Sequence, residues 1–255
     1  STAGGATTAE EVDKVLATGK YDVVTVTHNE TSSGVMNPCG EIAKVVKKYP
    51  DVVWLVDAVS SMGGVKIPVD EWGIDVCITS TQKSLGLPPG LSIASVSEKA
   101  YNRAKTVKNR GYYLDLVQLY DFVVKKDHQY HATPSLAHYF ALNAQLDYIL
   151  NEEGLENRYK RHLEMAKVVR DWADKNFELL AAPEYRSNTL TVIKNTRNIN
   201  VSDLNKFLAE KGFLIANGYG DLKDKTFRIA HMADTKMETV KELLGCIDEF
   251  LAKNS

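Results

Sequence analysis

"DVCITSTQKSLGLPPGLSIASV" (residues 75–96) sets a single lysine, Lys83, in a tight connection bounded by glycine and proline. The run before it, "IDVCIT", reads as a buried strand, and the run after it, "LSIASV", reads as another. Lysine ordinarily keeps its ammonium in water on a solvated face. Here an amine stands at the carboxyl end of an apolar strand, which raises the question of what it serves.

Outward from this stretch the pattern repeats. "YDVVTVTH" (21–28) and "VVWLVD" (52–57) are short apolar runs, and "PCGEIAKVVKKY" (38–49) and "EKAYNRAKTVK", begun by Ser97, read as amphipathic helices. Such alternation predicts a mostly parallel α/β sheet. Upstream, Thr8 and Glu11 form a T-x-x-E capping box before Val12, Val15 and Leu16. No opening strand precedes that helix and no Met begins the chain, so a fragment or a processed chain is expected, although Met removal alone explains the second feature.

After a polar, aromatic-rich passage, "NRGYYLDLVQLYDFVVKKDHQYHATP", the pair Thr133-Pro134 predicts the start of a long helix running to about Glu153, with Gly154 ending it. A charged helix (155–176) leads into a second pattern: strand "NTLTVIK" (188–194), helix "SDLNKFLAEKG" (202–212), strands "FLIAN" (213–217) and "TFRIAH" (226–231). A last helix is expected from a capping box between Thr235 and Glu238. This predicts a large domain over 1–154 and a small α/β domain over 155–255.

Bulk properties narrow the function. Lys and Arg total 31 against 33 Asp and Glu, so no basic excess suits a nucleic acid. No apolar run approaches the ~20 residues that span a bilayer, and no signal peptide opens the chain. The three cysteines, Cys39, Cys77 and Cys246, match neither a metal-ligand spacing nor a disulfide framework, which favours a reducing, cytoplasmic setting. His28, His131 and His231 likewise show no ligand spacing and are read as structural or site-lining groups.

In open α/β sheets ligands bind beyond the carboxyl ends of strands. Three such ends carry polar chemistry: "THNETSSG" (27–34), "VDAVSS" (56–61) and "TSTQKS" (79–84). Asp57 ends one apolar strand and Lys83 another. If both are desolvated, they form an ion pair or hold one ligand between them. A turn role for Asp57 remains open at this point. Pyridoxal phosphate is a ligand that needs both groups, an amine for its aldehyde and a carboxylate for its pyridine nitrogen.

"LVDAVSSMGGVKIPVDEWGIDVCITSTQKSLGLPPGLSIASVSEKA", with "THNETSSGVMNP", "HQYHATPSL" and "TFRIAHMAD", resembles the class V aminotransferases of fold type I, nearest to the alanine–glyoxylate and serine–pyruvate enzymes. The resemblance spans essentially the whole chain. It implies pyridoxal 5'-phosphate as cofactor, transamination between a small amino acid and a 2-oxo acid, and a homodimer with shared active sites. By residue, it implies Lys83 as the Schiff-base lysine and Asp57 as partner of the ring nitrogen. Val59 falls under the ring and Thr31 near its phenolic oxygen. Gln82 is implied as a phosphate contact in the same subunit, Tyr130 and Thr133 as phosphate contacts across the dimer, and Arg228 as the clamp on the substrate carboxylate. The family's N-terminal stretch, with its phosphate loop and the aromatic residue over the ring, has no counterpart in the sequence. Two alternatives stay open: a lyase such as a cysteine desulfurase, although Gln82 and not histidine precedes Lys83, and a truncated, non-catalytic fragment.

Overall fold

Local chemistry starts the fold at α1 (Ala9–Leu16). Glu11 N–H donates to Thr8 Oγ1 at 3.2 Å while Thr8 N–H donates to Glu11 Oε2 at 2.8 Å, closing the capping box, and Val12 and Leu16 turn inward. The computed structural model describes residues 4–127 and 129–254; Ser1, Thr2 and Ala3 of the Gly-rich opening, His128 of "HQYHATPSL" and Ser255 lie outside the described residues.

The chain continues through β1 (Val23–Thr27), a two-stranded ribbon of β2 (Asn29–Glu30) and β3 (Val35–Met36), α2 (Cys39–Val46), β4 (Val53–Asp57), the short α3 (Val69–Trp72), β5 (Val76–Ser80) and β6 (Ser92–Val96). The first sheet runs β1-β4-β5-β6. β1 and β4 are parallel, as are β4 and β5, with Thr27 beside Asp57 and Asp57 beside Ile78. β6 returns antiparallel to β5, so the segment carrying Lys83 joins neighbouring strands directly and needs no crossover helix. One face of the sheet packs Trp54, Val56 and Val26 against Ile42, Val46 and Leu16.

Next come α4 (Glu98–Thr106), capped by Ser97 Oγ accepting from Ala100 N–H, then α5 (Leu116–Lys125) and α6 (Leu136–Asp147). The expected cap at Thr133-Pro134 is not used. Ser135 is the N-terminal flanking residue of α6, and its hydroxyl lies 2.7 Å from His138 Nδ1, not on a helix amide. Nor does the helix run uniformly to Glu153: its last turn widens to a π-helix over Tyr148–Glu153 before Gly154. The fully buried Ile149 anchors that turn.

α7 (Leu155–Asn176) then leads to β7 (Glu178–Leu179), β8 (Leu190–Lys194), α8 (Val201–Ala209), β9 (Ala216–Asn217), β10 (Thr226–Ala230) and α9 (Met237–Lys253). These strands form an antiparallel sheet, β7-β8-β10-β9. Phe227 and Ile193 on it pack against Met165, Leu204, Leu208 and Ile247 from the helices. "FLIAN" yields only a two-residue strand. The predicted box before α9 is absent too, because Thr235 Oγ1 donates to Met232 O at 2.7 Å and Lys236 takes the capping position. Each sheet thus has its own apolar core. No described helix is long and apolar enough to cross a membrane.

Candidate functional site

Lys83 sits where the parallel strands end. Its carbonyl accepts from Gly86 N–H at 2.9 Å, closing a tight turn whose Gly86 has φ 78°, a left-handed value that suits glycine. Thr81 ties the turn down: its hydroxyl donates to Pro88 O at 2.8 Å, and Leu87 N–H donates to Thr81 O at 3.0 Å. Ser84 and Leu85 beside the lysine are buried, and Lys83 itself is half-buried.

The amine is held below the ordinary lysine range. Burial is the main cause and the positive charge of Arg228 adds to it, while Asp57 and Glu30 oppose the shift. Charged groups from β2, β4 and β10 therefore all act on the amine of the Lys83 turn. Arg228 reaches across from the second sheet. Its Nε donates to Asn217 O at 2.9 Å, and its Nη1 points to Thr31 O at 3.4 Å.

The structure departs from the sequence reading at Asp57. Its backbone is locked between β1 and β5, but its side chain is exposed, not desolvated. Oδ1 accepts from Val59 N–H at 2.9 Å, a local turn bond that orients the carboxylate. Val59 is half-buried and Gln82 exposed. Thr31 Oγ1 lies 2.6 Å from Ser60 Oγ, joining the "THNETSSG" and "VDAVSS" loops.

Tyr130 and Thr133 are not brought to this cluster within the chain. Tyr130 lines a groove of about 780 Å³ along β6 with Tyr101, Leu119 and Tyr139, and Thr133 is exposed. A second groove of about 680 Å³ follows β1 on the sheet's other edge, reaching Glu30 but not Lys83. Both grooves are wide and open, whereas the chemistry gathers between them.

Two participants escaped the sequence reading. Glu30 stands in the quoted "THNETSSG" loop among several polar candidates, with Ser32 N–H bonded to its Oε1 at 2.8 Å. Ser60 is hidden in "AVSS", where nothing in its spacing marks it. Asn29, beside Glu30, is 3% exposed and neither atom of its side-chain amide has a hydrogen-bond partner.

Cys39 and Cys77 are buried and their thiols are not activated. Burial pushes the Cys39 thiol up to about 12 and Cys77 up to about 11. Among the described residues no three His, Cys, Asp or Glu side chains converge as a metal-ligand set. His28 and His231 are buried and hydrogen-bonded to Ser61 and Thr191, whereas His131 packs among Tyr112, Tyr113 and Phe122.

The family model described as Aminotransferase class-V matches residues 1–235. An uncharacterized aminotransferase of Methanocaldococcus jannaschii is 42% identical over 245 residues, covering 94% of this chain and 62% of that protein. The serine–glyoxylate aminotransferase of Arabidopsis thaliana is 34% identical over 230 residues, covering 88% of this chain and 56% of that protein. The crystal structure of alanine–glyoxylate aminotransferase from Nostoc sp. superimposes with a TM-score of 0.89 at 28% identity, covering 97% of this chain and 66% of that one. The chain thus spans about three fifths of the length of the curated relatives it matches. A cysteine desulfurase from Thermococcus onnurineus, at 16% identity and a TM-score of 0.76, shares the fold alone. The architecture is the fold type I α/β arrangement that the sequence led us to expect.

Proposed function

The chain belongs to the class V aminotransferase family, and on that premise we propose that the whole protein is a pyridoxal-phosphate-dependent aminotransferase. It moves an amino group from a small amino acid, alanine, serine or similar, to a 2-oxo acid such as glyoxylate or pyruvate. The observation that carries this reading is the Lys83 amine, held towards its neutral form by burial and by Arg228.

The residues present fit the cofactor. An amine and an oriented carboxylate at the strand ends of the first sheet, with a guanidinium reaching over from the second, form the donor set that an anionic pyridine aldehyde requires. Pyridoxal phosphate, when bound, supplies an electron sink for the substrate's α-carbon. Lys83 would hold the cofactor through its aldehyde carbon, and its amine, held below the ordinary lysine range, would move the proton at the substrate's α-carbon. Asp57, its orientation set by Val59 N–H, would face the ring nitrogen and favour its protonated form through charge. Val59 would lie beneath the ring, and Thr31, bonded to Ser60, would meet the phenolic oxygen. Arg228 receives the substrate carboxylate, a task its planar fork suits. Gln82 in one subunit, with Tyr130 and Thr133 across a homodimer interface, would hold the phosphate. That dimer reading is supported by the exposed Tyr112, Tyr113, Leu114, Tyr130, Leu136 and Phe140. We place the domain division at 1–154 and 155–255, in line with the two separate cores, and the protein in the cytoplasm, in line with its free thiols.

Borohydride reduction of the full-length protein with pyridoxal phosphate, followed by peptide mapping, tests the assignment. The pyridoxyl mass should fall on Lys83. A label on another lysine refutes the site, and no label at all leaves the inert-fragment reading standing.

A further inference from the structure

Arg158 is the most deeply buried charge described in the chain, with 0% of its side chain exposed. A guanidinium is costly to bury, and burial is sustained only when its N–H donors are met. Here they are met by four acceptors, three of them on distant pieces of chain. Nε donates to Gly63 O at 3.0 Å, in the turn that follows Asp57, Ser60 and Ser61. Nη2 donates to Ser84 O at 2.8 Å, the peptide next to Lys83. Nη1 donates to Asp234 Oδ1 at 2.9 Å, in the turn that follows the strand of Arg228, and to Glu153 Oε2 at 2.6 Å.

The surroundings leave this arrangement little slack. Arg161 bridges Glu153 Oε1 at 2.7 Å to the carbonyls of Ala233 and Thr235, at 2.9 and 2.6 Å. Ala233 has φ 63°, a conformation a non-glycine residue rarely adopts, so these bonds hold a strained turn in place. Asp234 Oδ2 accepts from Gln145 Nε2 at 2.9 Å, and both groups lie against Gly86, the far end of the Lys83 turn. His162, one turn along α7, donates from Nδ1 to Arg158 O at 2.8 Å and fixes the backbone beneath.

We infer that Arg158 is a positioning residue that sets the turns carrying Asp57, Lys83 and Arg228 against one another from behind the site. The inference rests on the aminotransferase reading and adds to it a residue that touches none of the reacting groups. Its consequence is specific to Lys83. The groups acting on that amine are Arg228, Asp57 and Glu30, and burial is the larger influence. A turn no longer held at Ser84 O lets the amine reach water, and its proton is then released at higher pH.

The test compares Arg158→Lys with Arg161→Gln. Lysine keeps the positive charge near Glu153 and Asp234 but cannot span both carbonyls. Arg161→Gln removes bonds to the same Glu153 and to the carbonyls of Ala233 and Thr235, but none to the Lys83 turn itself and none to the Asp234 carboxylate. Full-length protein is stripped of bound aldehyde with hydroxylamine, and acetic anhydride labelling across pH, read by mass spectrometry, gives the titration midpoint of each lysine. Arg158→Lys should raise the Lys83 midpoint, leave other lysines unmoved, and lower kcat roughly 10- to 100-fold with little change in KM. Arg161→Gln should lower the melting temperature but leave the Lys83 midpoint in place. An unmoved Lys83 midpoint in Arg158→Lys overturns the inference. If the Arg158 variant does not fold, Asp234→Asn replaces it, since Asp234 is half-exposed and Glu153 remains to balance the charge. That variant should move the Lys83 midpoint the same way by less, and no movement overturns the inference equally. Borohydride mapping on the unaltered protein separates the two readings: a label away from Lys83 sinks the aminotransferase site, whereas a label on Lys83 with an unmoved midpoint sinks only the role of Arg158.

Discussion

Replacing Arg228 by lysine separates charge from shape at the proposed carboxylate clamp. Two of the five N–H donors of Arg228 are engaged with backbone, Nε on Asn217 O and Nη1 on Thr31 O, and the rest remain for a substrate. Lysine keeps the charge but has no planar fork, so it cannot hold Asn217 and grip both oxygens of a carboxylate. Losing one charge-assisted hydrogen bond costs about 1.5–3 kcal/mol, or roughly 10- to 150-fold in the apparent substrate constant. The assay is half-reaction kinetics with alanine and with ethylamine, which lacks the carboxylate. Alanine should weaken by that factor and ethylamine should be nearly indifferent. Arg228→Gln adds a second signature. With its positive charge gone from beside Lys83, the lysine proton is held more tightly, so the Lys83 midpoint moves upward; in Arg228→Lys it should move less. Equal losses for alanine and ethylamine, or no loss for alanine, would refute the clamp.

Acid should destabilise the protein before its carboxylates titrate, because burial holds His28 and His162 down to about 4 and His231 down to about 3. These histidines stay neutral when folded but take up protons near pH 6.5 when unfolded, so stability is full above pH 6.5 and declines as pH falls towards 4. A shift from 6.5 to about 4 corresponds to about 3 kcal/mol for one such group at the low-pH limit. Urea unfolding between pH 7.5 and 4.5 should show the decline, and His28→Asn should flatten it; a flat profile in the unaltered protein contradicts the argument. Gly64→Ala should cost about 1–3 kcal/mol, because the new methyl would lie 2.6 Å from Thr189 Cγ2 and 2.9 Å from Ser84 Oγ. Thermal melting reads this as a fall of about 2–4 °C per kcal/mol. Thr189→Ser in the same chain should restore part of the loss, since it removes the methyl but keeps the hydroxyl bonded to Ser60 O; an unchanged melting temperature in Gly64→Ala would show that the loop gives way freely.

Local pattern was enough to find the strand ends of Asp57 and Lys83, the α1 capping box and the two-sheet α/β plan. Each depends on neighbours within a few residues, and apolar periodicity records them directly. The helix starts at Thr133 and Thr235 were misjudged because a hydroxyl before a helix has competing partners: Thr235 Oγ1 bonds Met232 O, and the residue that does flank α6, Ser135, turns its hydroxyl to His138. The reversal of β6 depends on which strand edge it meets, and the exposure of Asp57 on what covers its strand end. Arg158 reads in "GLENRYKRH" as one more cation on a charged helix. Only the meeting of Gly63 O, Ser84 O, Asp234 and Glu153, segments up to about 170 residues apart, turns it into a fully buried hub. Burial and charge coupling are properties of that three-dimensional meeting, so the folded chain alone decided how acidic the Lys83 amine becomes.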